Sequence, residues 1–187
     1  HREYLEAGAQ ILRTNTFAAN SFCMDLSQEQ IRETLRSGVR LAKAAVEEWR
    51  ADTGETGEVY IAADIGQIPC DAPAQKDLLS REYEEICHIF LEEGVDFFVF
   101  ETFSEMEEIL PAIKMIGEQA FITVQFSVNQ FGYSNAGLSA RKLLQRAGAI
   151  KEIDAVGFNC GVGPSHMYRI LQTLYKPVDK FLTALPN

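Results

Sequence analysis

One pattern recurs three times along the chain, and it limits the fold more than any other feature. Segment 6–17, EAGAQILRTNTF, aligns with segment 92–103, EEGVDFFVFETF: each has a glycine after a helix-like stretch, a two-residue step, an apolar core and a closing Thr-Phe. Segment 153–160, IDAVGFNC, continues the alignment beneath 95–102. In this register Asn15, Glu101 and Asn159 share one column, and Thr16, Thr102 and Cys160 share the next. Apolar runs that close on polar residues, repeated at intervals, are what parallel strands look like when they are covered on both faces and carry chemistry at their C-terminal ends.

The segments between the repeats are helical in pattern. SQEQIRETLRSGVRLAKAAVEEW opens with Ser27 and Gln30 at capping-box spacing and sets Ile31, Leu35, Val39, Ala42, Val46 and Trp49 along one face. SREYEEICHIFLEEG ends on Gly94, SEMEEILPAIKMIGE begins with Ser104 and Glu107 as a second capping box, and SHMYRILQTLYK stops at Pro177. Strands are predicted in AQILRTNTF, EVYIAADIG, DFFVFETF, AFITVQFSV, IDAVGFNC and KFLTALPN.

Alternating strands and helices predict a parallel α/β fold, either an open doubly wound sheet or a (β/α)8 TIM barrel. Polar residues end most strands, at Asn15, Asp64, Glu101, Gln125, Asn159 and Cys160. A barrel builds its site from several strand ends at once, whereas an open sheet concentrates it at one crevice, and no G-x-G-x-x-G follows the first strand. The barrel is the better expectation. About six strands are present and the chain opens in helix-like HREYLEAG, so residues 1–187 are expected to form a single barrel domain truncated at both ends.

Composition narrows the partners. A net charge of −10 without a Lys/Arg cluster argues against nucleic acid, whose non-specific binding is built from cationic contacts. No apolar run approaches the ~20 residues that span a bilayer, and no basic-then-apolar leader opens the chain. Cys23, Cys70, Cys87 and Cys160 are widely spaced, as are His1, His88 and His166. They form neither a disulfide framework nor a local metal motif, so any metal site must be assembled by the fold. A cytoplasmic protein with a small-molecule substrate is the expectation.

H-x-x-Y-x-x-A-G-A-x-I-L-x-T-N-T-F at residues 1–17, E-E-G-V-D-F-F-V-F-E-T-F at 92–103, G-F-N-C-G-V-G-P at 157–164 and L-P-N at 185–187 resemble the homocysteine S-methyltransferase family. That family includes the homocysteine-binding module of cobalamin-dependent methionine synthase. S-H-M-Y at 165–168 resembles the bacterial bifunctional members that join this barrel to a methylenetetrahydrofolate reductase.

The resemblance implies a zinc-dependent methyltransferase that converts homocysteine to methionine. It implies that Cys160 is a zinc ligand and so a catalytic residue, joined in the family by two adjacent cysteines of a G-G-C-C motif. Neither that motif nor the family's aspartate-glycine-glycine turn is in this sequence, so the remaining two zinc ligands are expected from outside it. Glu101 corresponds to the glutamate that binds the homocysteine ammonium, and Asn15 and Asn159 are candidates for orienting substrate. Methyl-cobalamin or methyl-folate would be the donor, with S-methylmethionine and betaine also open, and a linked or partner folate, cobalamin or reductase domain would present it.

The chemistry suits those residue types. A free thiol has a pKa of about 8.5 and is mostly protonated at neutral pH, while the thiolate is the nucleophile. Zinc removes the proton from a bound thiol, and thiolate co-ligands leave the metal weakly electrophilic. Two rival functions are a barrel lyase using Glu101 as base and a non-catalytic module that has lost its metal site. Asp64 before Ile65-Gly66 is as well explained by a turn as by catalysis, and His166 by a structural role at a helix start.

Overall fold

The computed structural model describes residues 1–69, 76–174 and 179–187; Cys70 and Pro177 lie outside the described residues. The strands are β1 (Ile11–Arg13), β2 (Tyr60–Gly66), β3 (Phe97–Phe103), β4 (Phe121–Phe126), β5 (Ala155–Asn159) and β6 (Phe181–Leu185). They pair in parallel and in chain order into one six-stranded sheet that curls as part of a TIM barrel. Helices α1 (Arg2–Glu6), α2 (Gln28–Thr53), α3 (Lys76–Glu92), α4 (Leu110–Ile116), α5 (Ala140–Gly148) and α6 (Pro164–Thr173) complete the repeat.

Helix α2 forms where its caps and stripe predict. Gln30 N–H donates to Ser27 Oγ at 3.3 Å, and Ser27 N–H donates to Gln30 Oε1 at 2.9 Å, which closes the capping box. Ile31, Leu35, Val39, Ala42 and Val46 are buried, and left-handed Gly54 ends the helix.

Three helices depart from expectation. Helix α3 begins at Lys76, ahead of Ser80. The second capping box does not form, because Ser104 N–H is held by Gln67 Oε1 at 2.8 Å and Glu107–Ile109 is a 3₁₀ turn. Pro111 then sits in the first turn of α4, the place where its missing N–H leaves no helical bond unmade. Helix α5 is additional: too short to show a long period, it is capped by Ser139 and buries Ala140, Leu143, Leu144 and Ala147.

Alternation along the strands divides two environments. Ile61, Ala63, Ile65, Phe98, Phe100, Ile122, Val124, Val156 and Phe158 face outward into one core with the helices. Each fully buried side chain of this kind contributes roughly 1.5–3 kcal/mol. The alternate residues line the barrel interior. Near the N-terminal ends Tyr60, Phe97, Phe121 and Phe181 form an aromatic chain with successive centroid distances of 5.4, 4.9 and 6.3 Å. Two steps further on stand small residues such as Ala62, Val99 and Gly157, and beyond them the polar layer of Asp64, Glu101, Gln125 and Asn159. The fold therefore floors its interior with aromatics and opens it, polar, at the C-terminal rim.

Candidate active site

Glu101 faces the interior by the alternation that also turns Phe97 and Val99 inward, and β3 becomes irregular just beyond it. Phe100 pairs with Val124 but Phe103 with Phe126, so three steps on β3 oppose two on β4. The extra residue makes a bulge at Glu101 and Thr102 that leaves both Phe100 and Phe103 in the outer core. Thr102 within the bulge has φ 66°, a left-handed conformation unfavourable to a β-branched residue.

Asn159 holds that conformation. Its Oδ1 accepts from Thr102 N–H at 2.7 Å and its Nδ2 donates to Thr102 Oγ1 at 2.7 Å. The same Nδ2 lies 3.3 Å from Glu101 Oε2 and 3.5 Å from Cys160 Sγ. Cys160 is left-handed too, at φ 53°, and its N–H donates to Leu185 O at 3.0 Å, so strand β5 ends with the thiol half-exposed at the rim. Gly161 continues the turn with φ 70° where a Cβ would strike Val128 O.

Two residues that sequence reasoning did not select join this cluster. Arg13, from β1, donates from Nη1 to Glu101 Oε2 at 2.6 Å. Asp64, from β2, lies beside Glu101 and is only 6% exposed, with Oδ1 lacking any hydrogen-bond partner. Asp64 lies within a strand and stabilises no turn. Burial pushes its carboxyl up to about 7, the negative charge of Glu101 and a hydrogen bond with it add to the rise, and Arg13 opposes it. The available signal was an arginine and an aspartate at inward positions of otherwise apolar strands.

Asn15 is placed differently. It is exposed, follows the end of β1 and is left-handed at φ 58°. It therefore corresponds in backbone to Thr102 and Cys160, one position from the column the sequence alignment gave it. Its neighbours bind the backbone of Asp64: Thr16 Oγ1 donates to Asp64 O at 2.8 Å, Asp64 N–H donates to Thr14 Oγ1 at 3.1 Å, and the two hydroxyls are 2.6 Å apart. Among the described residues, no hydrogen bond ties the Asn15 side chain to Glu101 or Cys160. His166 is exposed in the first turn of α6.

The whole sequence, residues 1–187, matches the family described as homocysteine S-methyltransferase. The chain belongs to that family. Curated relatives include methionine synthase of Mycobacterium leprae, 24% identical over 100% of this chain and 16% of that protein. Betaine–homocysteine S-methyltransferase 1 of Rattus norvegicus is 26% identical over 96% of this chain and 44% of its own length. The chain thus spans less than half of either relative. The homocysteine methyltransferase MmuM of Escherichia coli superposes with TM-score 0.82 in its apo form, at 22% identity, covering all of this chain and 69% of that one. Its metallated form gives 0.83 at 20% identity. This likeness shows a shared fold.

Among the described residues no three His, Cys, Asp or Glu gather to hold a metal. Cys160, with a soft sulfur at the rim, suits one position in such a set. Among the described residues no helix is long and apolar enough to cross a membrane.

Proposed function

We propose that residues 1–187 form the homocysteine-binding barrel domain of a zinc-dependent methyltransferase that makes methionine. The carrying observation is the reach of one amide: Asn159 Nδ2 touches the Glu101 carboxylate at 3.3 Å and the Cys160 thiol at 3.5 Å. A carboxylate for an ammonium and a sulfur-side position thus flank a single amide nitrogen, a spacing suited to a small amino acid with a terminal thiol.

Glu101 holds the substrate ammonium through charge-assisted hydrogen bonds, which are strong where water is excluded. Asn159 fixes Glu101, Thr102 and Cys160 relative to one another without adding charge. Cys160 is one zinc ligand, and the remaining ligands come from outside this sequence. Zinc bound there would keep the homocysteine sulfur as thiolate at neutral pH. Asn15, exposed at the same rim, contributes to orienting substrate. The free thiols of Cys23, Cys87 and Cys160 suit a reducing, cytoplasmic compartment. The methyl group arrives from a linked or partner folate, cobalamin or reductase domain.

The test is to incubate the intact protein with homocysteine and, in turn, methyl-cobalamin, methyl-folate, S-methylmethionine and betaine, and to measure methionine by mass spectrometry. Methionine should form with one donor. Failure with all four, together with no homocysteine binding, would overturn the proposal.

A further inference from the structure

We propose that Asp64 is a second substrate-binding carboxyl, which with Glu101 receives the amino group of the substrate and gives up its own proton to solvent as that group binds. This deepens the reading of Glu101 above and rests on it.

Placement comes first. Asp64 faces the interior from β2, between Arg13 on β1 and Glu101 on β3. Among the described residues, its Oδ1 is the one buried side-chain oxygen or nitrogen without a hydrogen-bond partner. Buried polar atoms are nearly always paired, because desolvation without a partner is costly, so such an acceptor beside a candidate amine site points to a donor that arrives with a ligand. The backbone of Asp64 is fixed on both sides by Thr14 and Thr16, which holds the residue with its side chain directed into the interior.

Charge balance gives the second step. The charged side chains that face Asp64 are Glu101 and Arg13. Arg13 and Glu101 already neutralise each other across 2.6 Å. An arriving ammonium therefore brings to this corner of the interior a positive charge that the Arg13–Glu101 pair does not offset. Ionisation of Asp64 supplies the missing negative charge: the O–H bond of its carboxyl breaks, the proton leaves to solvent, and the ammonium keeps all three of its protons. The elevated carboxyl, near pH 7, makes that proton available at little cost.

The experiment uses the intact protein and L-methionine, which carries the amine but no thiol proton, so any proton released comes from the amine end. Calorimetric titrations in buffers of different ionisation enthalpy count it. Near pH 7 the wild type should release about half a proton per methionine bound. Asp64→Asn should release none and bind about tenfold or more weakly, the loss expected for one charge-assisted contact. No proton release by the wild type between about pH 6 and 8, or unchanged affinity in Asp64→Asn, would overturn the assignment. The wild-type proton count needs no variant, so a misfolded Asp64→Asn would not shelter the idea. Homocysteine serves as control: if it binds the wild type and the methionine results fail, Asp64 alone falls. If homocysteine itself does not bind, the underlying function falls and takes this inference with it.

Discussion

Asn159 grips Thr102 twice, accepting from its amide and donating to its hydroxyl, both at 2.7 Å. The gripped residue is left-handed at φ 66° and lies in the bulge beside Glu101. Asn159→Ala removes both bonds and leaves the Thr102 N–H without its partner. Stability should fall by about 1–3 kcal/mol, and homocysteine affinity should fall with it as the bulge relaxes. Chemical denaturation and a binding titration check the pair; a destabilised protein with wild-type affinity would separate Asn159 from the site.

Glu101→Gln keeps size and hydrogen bonding but removes the charge proposed to face the ammonium. Homocysteine affinity should drop roughly thirtyfold, about 2 kcal/mol, while the zinc content of the intact protein stays unchanged. An unaltered dissociation constant would take Glu101 out of the site.

Asp64 ties stability to pH. Its carboxyl is raised from the usual range to about 7 in the folded protein, so the folded state binds more protons than the unfolded chain between those values. Its contribution is fully present at low pH and is lost as pH rises toward and through 7. Asp64→Asn removes that loss: relative to wild type, the variant should gain melting temperature at pH 8 compared with pH 5. Equal differences at both pH values would mean that Asp64 is not held protonated.

Gly157 lies in the middle of β5 with Thr183 of β6 pressed against it, so that a Cβ would meet the Thr183 carbonyl and hydroxyl. Gly157→Ala should push β6 aside and disturb the 3.0 Å bond from Gln125 to Thr183. The expected loss is about 1–3 kcal/mol, typical of overpacking, read by urea unfolding. Wild-type stability would show that β6 yields freely.

The sequence carried the fold because apolar runs closed by polar residues and a capped α2 are local patterns. Glu101, Asn159 and Cys160 stood out as the polar ends of apolar runs. Asp64 stood out in the same way and Arg13 did not, and the meeting of both with Glu101 was hidden because it depends on the stagger between neighbouring strands, which no single segment encodes. The one-position offset at Asn15 has a similar cause. An asparagine tolerates the left-handed turn, so the chain leaves β1 one residue earlier than the Thr-Phe alignment implied. Helix α5 was hidden by its brevity.

Cys160 tests the proposed chemistry most directly. In the intact protein Cys160→Ser replaces a soft thiolate by a neutral hydroxyl, which neither matches the preference of zinc for sulfur nor ionises readily near pH 7. The fold should survive, because the residue is half-exposed at the end of β5 and the side-chain contact that reaches it, Asn159 Nδ2 at 3.5 Å, is one that a serine oxygen can accept. Zinc content should fall, and methyl transfer with it, while L-methionine, which depends on the amine end, still binds. Metal analysis, circular dichroism and transfer assays on the purified variant separate the outcomes: full zinc occupancy with normal turnover would reduce Cys160 to a rim residue, and lost structure would assign it to the fold.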